Sequence, residues 1–138
     1  MKKIFLDTNI VIDLLSQREP FYEAAANLFS LADKKQIDLY VSSLTIANTS
    51  YVLLKQIDSD KAKSILRKLR LIIKILSLDD KIIGLALNYN SFSDFENCIQ
   101  YFTAIENEQD VIITRNLKDF KKSKLPVLTA KQFLEAIE

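Results

Sequence analysis

The chain opens on three apolar residues, Ile4-Phe5-Leu6, and then at once on a carboxylate, a hydroxyl and an amide, Asp7-Thr8-Asn9. A short apolar run stopped by polar residues reads as a buried strand ending there. From Asn9 the period lengthens to that of a helix reaching Ser16, with Ile10, Ile12, Leu14 and Leu15 around Asp13. Pro20 suits the first turn of a second helix that runs to about Lys35, with Phe21, Ala24, Ala25, Leu28, Phe29 and Ala32 at helical spacing. Ile37 to Ser42 alternates as a strand, its Ile37, Leu39 and Val41 set against Asp38 and Tyr40. Ser42 or Ser43 caps a helix from Leu44 to Gln56, and Ser59 caps another from Asp60 to about Leu71. The β-branched residues that follow predict a strand beginning at Ile72 or Ile73 and ending near Leu76.

The later half continues the alternation. Asp79 to Asn88 predicts a helix, and Ser93 with Glu96 has the spacing of a capping box, which starts a helix at Asp94 that ends near Asn107. Val111 to Thr114 is a buried strand, and Leu125 to Leu128 contains Pro126, which lacks a ladder donor and confines that strand to a sheet edge. Thr129 caps a last helix carrying Phe133, Leu134 and Ile137. Strands alternating with helices predict an α/β fold, a mostly parallel central sheet of four to five strands with helices on both faces. One glycine and two prolines leave few places for a linker, so residues 1–138 are expected to form one domain.

Composition narrows the chemistry. The chain has no histidine and one cysteine, Cys98, which removes the usual general base, an internal disulfide and a cysteine-rich zinc site. Carboxylates with a hard, oxygen-binding cation remain, or Lys and Tyr acting alone. Cys98 reads as a small buried hydrophobe. A net charge of +1 gives no global field toward nucleic acid, so any basic footprint is local. No run reaches the roughly 18 apolar residues of a membrane span, and Asp7 comes too early for a signal peptide, so a cytoplasmic protein without membrane contact is expected.

In an open α/β sheet, ligands bind beyond the carboxyl ends of the strands. That places Asp7 in reach of chemistry, although an Asp after a strand also serves as a helix cap, and the opening hexapeptide leaves both open. The other exits carry side-chain oxygens too: Ser42 after the second strand, and Thr114, Arg115 and Asn116 after the fourth, with Asp119 three residues on. Asp94 and Asn97 project together from the start of a late helix. Mg²⁺ or Mn²⁺ asks a protein for only one or two carboxylates beside substrate phosphate oxygens, a demand that Asp7, Asp119 and Asp94 can meet.

Four segments then resemble one family in the right order: Leu6-Asp7-Thr8-Asn9-Ile10, Val41-Ser42-Ser43-Leu44-Thr45-Ile46-Ala47-Asn48, Ser93-Asp94-Phe95-Glu96-Asn97, and Ile113-Thr114-Arg115-Asn116-Leu117-Lys118-Asp119-Phe120. Together they resemble the PIN domains, and the likeness spans nearly the whole chain. It implies a three-layer α/β/α fold and a Mg²⁺- or Mn²⁺-dependent ribonuclease. Such nucleases are often the toxin of a toxin–antitoxin pair of the VapC type, commonly a homodimer, with an antitoxin chain in the cleft. Many members carry a glutamate where this chain has Asn48 and an aspartate where it has Asn97; at the Asn116 position the family accepts either Asp or Asn. The resemblance therefore gives Asp7, Asp94 and Asp119 as the acids, with Asn97 and Asn116 as amide ligands or orienters, a set with less negative charge and weaker metal affinity. Asp94 and Glu96 flank Asn97 and can compensate, with Glu96 expected to be spent on the helix cap.

The remaining pocket residues have plainer readings. Thr8 and Asn9 orient Asp7 and tie down its turn, Asn48 lines the pocket, and Arg115 is either a phosphate contact or structural. Asp13 either supports the site or sits on a solvated helix face, and Tyr101 either stacks on a base or belongs to the core. The basic stretches Lys61 to Arg70 and Lys118 to Lys124 suit an RNA backbone or a solvated surface. The two amides keep a second function in play, a catalytically degenerate PIN scaffold that binds RNA or protein. A doubly wound nucleotide-binding protein is disfavoured, since Gly84 is the lone glycine and no phosphate-cradling motif occurs.

Overall fold

The computed structural model describes residues 2–138. Its first half runs β1 (Lys3–Leu6), α1 (Thr8–Leu15), α2 (Tyr22–Asp33), β2 (Asp38–Ser42), α3 (Ser43–Leu53), α4 (Ser59–Arg70) and β3 (Lys74–Leu76). The second half runs α5 (Asp80–Leu87), α6 (Phe95–Glu106), β4 (Val111–Ile113), a 3₁₀ turn (Leu117–Phe120), β5 (Val127–Leu128) and α7 (Ala130–Ala136). All five strands are parallel, in the order β3-β2-β1-β4-β5.

The period-2 alternation of the strands divides the core in two. Ile4 and Leu6 of β1, Leu39 and Val41 of β2, and Val111 and Ile113 of β4 join one cluster with Ile10, Val11, Leu28, Phe29 and Phe133 from α1, α2 and α7. Phe5 and Ile112 point the other way, into Ile82, Ala86, Ile99, Tyr101 and Phe120. Buried on both faces, the central strands read as unbroken apolar runs, which is why Ile4-Phe5-Leu6 and Val111-Ile112-Ile113 show no polar alternation.

This strand order positions the site. The chain winds outward from β1 to β3, then returns to lay β4 on the other side of β1, so the direction of winding reverses between β1 and β4. The helices after these two strands leave on opposite faces, opening a crevice at the strand ends, the usual ligand position of such sheets. Asp7 N–H donates to Ile113 O at 2.9 Å, pinning the end of β1 to the end of β4 at the crevice.

Several boundaries differ from the sequence reading. Pro20 lies outside α2: Phe21 N–H closes a turn on Arg18 O at 3.0 Å, and the helix begins at Tyr22. Asp58, not Ser59, caps α4, its extended backbone letting the carboxylate accept Lys61 N–H at 2.8 Å. Ile72 and Ile73 are not strand residues, because both donate back to Leu69 O and finish α4, leaving β3 to start at Lys74. The Ser93/Glu96 capping box does not form. Asp94 takes the cap, accepting Asn97 N–H at 3.1 Å, so α6 starts at Phe95 and Glu96 is released from the role expected of it. Thr129 does cap α7, through a complete capping box with Gln132. Among the described residues no helix is long and apolar enough to cross a membrane.

Candidate active site

Asp7 is both a helix cap and the buried acid of the crevice, so the two readings of the opening hexapeptide are compatible. Its Oδ1 accepts Thr8 N–H at 2.8 Å at the start of α1. Its Oδ2 accepts the Thr114 hydroxyl at 2.8 Å and, more weakly, the Asn9 amide at 3.4 Å. Asp7 is 7% exposed, and among the described residues no salt bridge reaches it. Burial therefore pushes its carboxyl above the ordinary carboxylate range. The Thr114 and Thr8 hydrogen bonds oppose that rise, and the negative charges of Asp119 and Glu96 add to it.

The cleft in front of Asp7 holds about 270 Å³. Asp94, Glu96 and Asn97 from α6, Asn9 from α1, Asn48 from α3, and Asn116 after β4 line it, with Arg18 at its edge. Glu96 Oε1 accepts the Asn48 amide at 2.7 Å, a bond across the cleft between α3 and α6. Thr114 Oγ1 accepts Asn116 N–H at 3.1 Å while donating to Asp7, so one hydroxyl sets both the acid and the turn carrying Asn116. Arg115 N–H closes the same turn on Asn9 Oδ1 at 3.4 Å. Asp119 is exposed on the 3₁₀ turn and does not line the cleft, although its charge is close enough to act on Asp7. Among the described residues no three acidic, cysteine or histidine side chains gather tightly enough to hold an ion by themselves.

Beneath the cleft lies a buried polar network. Gln100 is 2% exposed, and its amide donates to Thr8 Oγ1 at 3.0 Å and to Thr45 Oγ1 at 2.9 Å, while its Oε1 accepts the Ser42 hydroxyl at 2.7 Å. Both amide protons and the carbonyl are used, and the network ties the ends of β1 and β2 to α3 and α6. Ser42 is thus a buried support that also caps α3. Gln100 was not singled out by sequence. Its signal was a polar residue inside the buried run Cys98 to Tyr101 of α6, one turn beyond Glu96 and Asn97. Glu96 was the other residue misread, because its spacing from Ser93 fits a cap that Asp94 supplies.

Three further residues settle into other places. Arg115 does not line the cleft. Its Nε lies 2.8 Å from Asp13 Oδ2, and its guanidinium stacks 4.2 Å above the Phe21 ring. Asp13 is 1% exposed, so it is not on a solvated helix face. Tyr101 belongs to the core, its ring packed on Phe92 and its hydroxyl accepting Lys124 N–H at 3.2 Å. Cys98 is buried, as expected.

Comparison with known proteins places this geometry. The PIN domain family matches residues 3–118. Ribonuclease VapC1 of Aquifex aeolicus (strain VF5) is 30% identical over 138 residues, covering 97% of this chain and 94% of that protein. Among solved structures, VapBC-1 from nontypeable Haemophilus influenzae superposes with a TM-score of 0.69 at 16% identity, covering 94% of this chain and 98% of that one. A toxin–antitoxin complex from Klebsiella pneumoniae gives 0.67 at 23%, covering 92% and 97%. The chain belongs to the PIN domain family, and its three-layer α/β/α fold is the fold of those structures.

Proposed function

We propose that this protein is a Mg²⁺- or Mn²⁺-dependent endoribonuclease, the toxin of a toxin–antitoxin pair. The observation that carries the reading is Asp7: a buried, hydrogen-bonded carboxylate without a cationic partner, at the reversal point of the sheet, with Glu96 and Asp119 adding negative charge. Such a group gains from a divalent cation what burial costs it. The donor set fits a cation that keeps most of its waters, since Asp7 and Glu96 provide the one or two carboxylates and Asn97 and Asn116 provide amide oxygens. Asp94, with one oxygen spent on the α6 cap, and Asp119, outside the cleft, act as nearby negative charge. When bound, the cation supplies Lewis acidity toward a water and the phosphodiester.

The chain's own residues do the positioning. Thr114 and Thr8 fix the orientation of the Asp7 carboxylate, so its free lone pairs face the cleft. Asn48 holds Glu96 in place through a donated hydrogen bond of 2.7 Å. Gln100 keeps α6 at a set distance from Asp7. Arg18 offers charge to a phosphate entering at the edge.

The Ribonuclease VapC1 relative supports RNA as substrate, and the Klebsiella pneumoniae toxin–antitoxin complex supports an antitoxin chain as partner. Exposed apolar side chains at Tyr51, Leu54 and Leu71, on and just after α3 and α4, support a homodimer. Cleavage of a mixed RNA pool with Mg²⁺ or Mn²⁺ tests the proposal. Wild type is expected to cleave, and Asp7→Asn is expected to be inactive with an unchanged circular dichroism spectrum. Activity retained in the folded Asp7→Asn protein removes Asp7 from the reaction.

The amides at 48 and 97, together with the lack of a three-acid cluster, favour a second reading, a non-catalytic RNA- or protein-binding scaffold. Absence of saturable Mn²⁺ binding at millimolar concentration, with RNA bound but uncut, selects it.

A further inference from the structure

Thr8 lines the cleft beside Asp7, and its backbone N–H serves that carboxylate. Its hydroxyl is held from below instead. A hydroxyl has one proton and two lone pairs, so its partners can be counted. The Gln100 amide donates to Thr8 Oγ1 at 3.0 Å, and the Thr45 hydroxyl stands 2.8 Å away. Burial fixes the direction of that second bond. Thr45 is 0% exposed, so its proton needs an acceptor inside the protein. Toward Thr45 Oγ1, both Gln100 at 2.9 Å and Ser42 at 3.4 Å stand as donors. Among the described residues, Thr8 Oγ1 is therefore the acceptor left for the Thr45 proton. The opposite orientation of the Gln100 amide would strand one of its two protons in the core, so the network selects this one.

Both lone pairs of Thr8 Oγ1 are thus spent on residues beneath the cleft, and its own proton has no acceptor among the described residues. The open side of the oxygen is the cleft.

We propose that the Thr8 hydroxyl is a fixed hydrogen-bond donor to a non-bridging phosphate oxygen of RNA in the cleft, and not a ligand of the cation. The inference rests on the ribonuclease reading and deepens it. A cation needs a lone pair, and Thr8 has none to give. A cation-bound water presents protons, which the same oxygen cannot accept. A phosphodiester presents acceptors only. The cleft also needs such a donor, since Asp7, Asp94 and Glu96 line it and Arg18 is the one cation among its lining residues. A neutral donor, oriented before the substrate arrives, stabilises phosphate charge without competing with the cation for Asp7.

The test pairs a change in the protein with a change in the RNA, using the full chain without divalent metal. The affinity of a fluorescent single-stranded RNA is compared with that of its phosphorodithioate form, whose non-bridging atoms are sulfur, a poor hydrogen-bond acceptor. Wild type is expected to lose about tenfold more affinity on sulfur substitution than Thr8→Val does, the size of one hydrogen bond to a charged group. Thr8→Ser, which keeps the hydroxyl, is expected to behave as wild type. Thr8→Ala, which makes no demand on the packing, is expected to repeat the valine result and serves where valine prevents folding. A purely structural role lowers both affinities alike and leaves the sulfur effect unchanged. Mn²⁺ affinity without RNA is expected to stay within about twofold of wild type in Thr8→Ala, because the hydroxyl contributes no lone pair. An equal sulfur effect in wild type and Thr8→Ala, no RNA binding by wild type, or a tenfold loss of Mn²⁺ affinity in Thr8→Ala overturns the proposal. A Thr8-dependent sulfur effect without cleavage in Mn²⁺ sinks the nuclease reading and leaves the phosphate contact; cleavage with a sulfur effect independent of Thr8 does the reverse.

Discussion

Helix α1 carries two buried aspartates, Asp7 at its N-cap and Asp13 within it, and their surroundings are opposite. Asp7 has three hydrogen-bond donors and no cation; Asp13 has a cation in contact, the Arg115 guanidinium at 2.8 Å. Burial raises both carboxyls above their ordinary range, opposed by hydrogen bonds at Asp7 and chiefly by the Arg115 charge at Asp13. Asp7 is oriented but not neutralised, which favours a cation. Asp13 is neutralised by Arg115, which leaves it little to offer a cation.

Substitutions that break this contrast rank by expected effect. Asp7→Asn keeps the helix cap and the shape but removes the one buried, oriented charge, and cleavage in a fluorescent RNA assay is expected to fall by roughly a thousandfold or more. Glu96→Gln removes a charge that lines the same cleft. Its expected result is a rise of about tenfold in the Mn²⁺ concentration for half-maximal cleavage, with a smaller change at saturating metal. An unchanged metal dependence would return Glu96 to a structural role.

On the Asp13 side the effect falls on stability. Arg115→Ala strands a buried carboxylate and is expected to cost about 2–3 kcal/mol by urea denaturation, below the usual penalty for a fully buried pair because Arg115 is partly solvated. The double change Asp13→Asn with Arg115→Met is expected to recover most of that loss. A double variant no more stable than Arg115→Ala would mean that the pair contributes more than its mutual charge.

The smallest effect is the pH dependence of stability at Asp7. Its folded carboxyl binds a proton more tightly than the unfolded one, whose ordinary value is 3.8. Its contribution to stability is complete below that value and lost as pH rises from there through the raised folded value. Asp7→Asn lacks this loss. The variant is therefore expected to melt at a higher temperature than wild type at pH 7, by on the order of a few degrees, and the difference is expected to shrink toward pH 4.

The sequence carried the architecture further than it carried the site. Apolar runs such as Ile4-Phe5-Leu6 and Val111-Ile112-Ile113 determine strands by their burial alone, and the alternation of elements determines a parallel sheet. The edge position of Val127–Leu128 follows from the missing donor of Pro126. Where two residues compete for one local role, the pattern does not choose between them. Ser59 lost its cap to Asp58, and the expected Ser93/Glu96 box gave way to Asp94, which turned Glu96 into a cleft residue. Gln100 and the Asp13–Arg115 pair depend on contacts across 58 and 102 positions, |100 − 42| and |115 − 13|, and such distances leave no periodic trace. Arg115 sits in the same turn as Thr114 and Asn116, yet its side chain is taken by Asp13 and Phe21 instead of lining the cleft.

The central claim, that Asp7 organises a cation site, is tested most directly by Mn²⁺ titration with paramagnetic broadening of side-chain amide signals. Wild type is expected to bind one Mn²⁺ saturably, broadening Asn9, Asn97 and Asn116 before any amide outside the cleft, and Asp7→Asn is expected to abolish this. Broadening that avoids the cleft, or that persists unchanged in Asp7→Asn, would contradict the account.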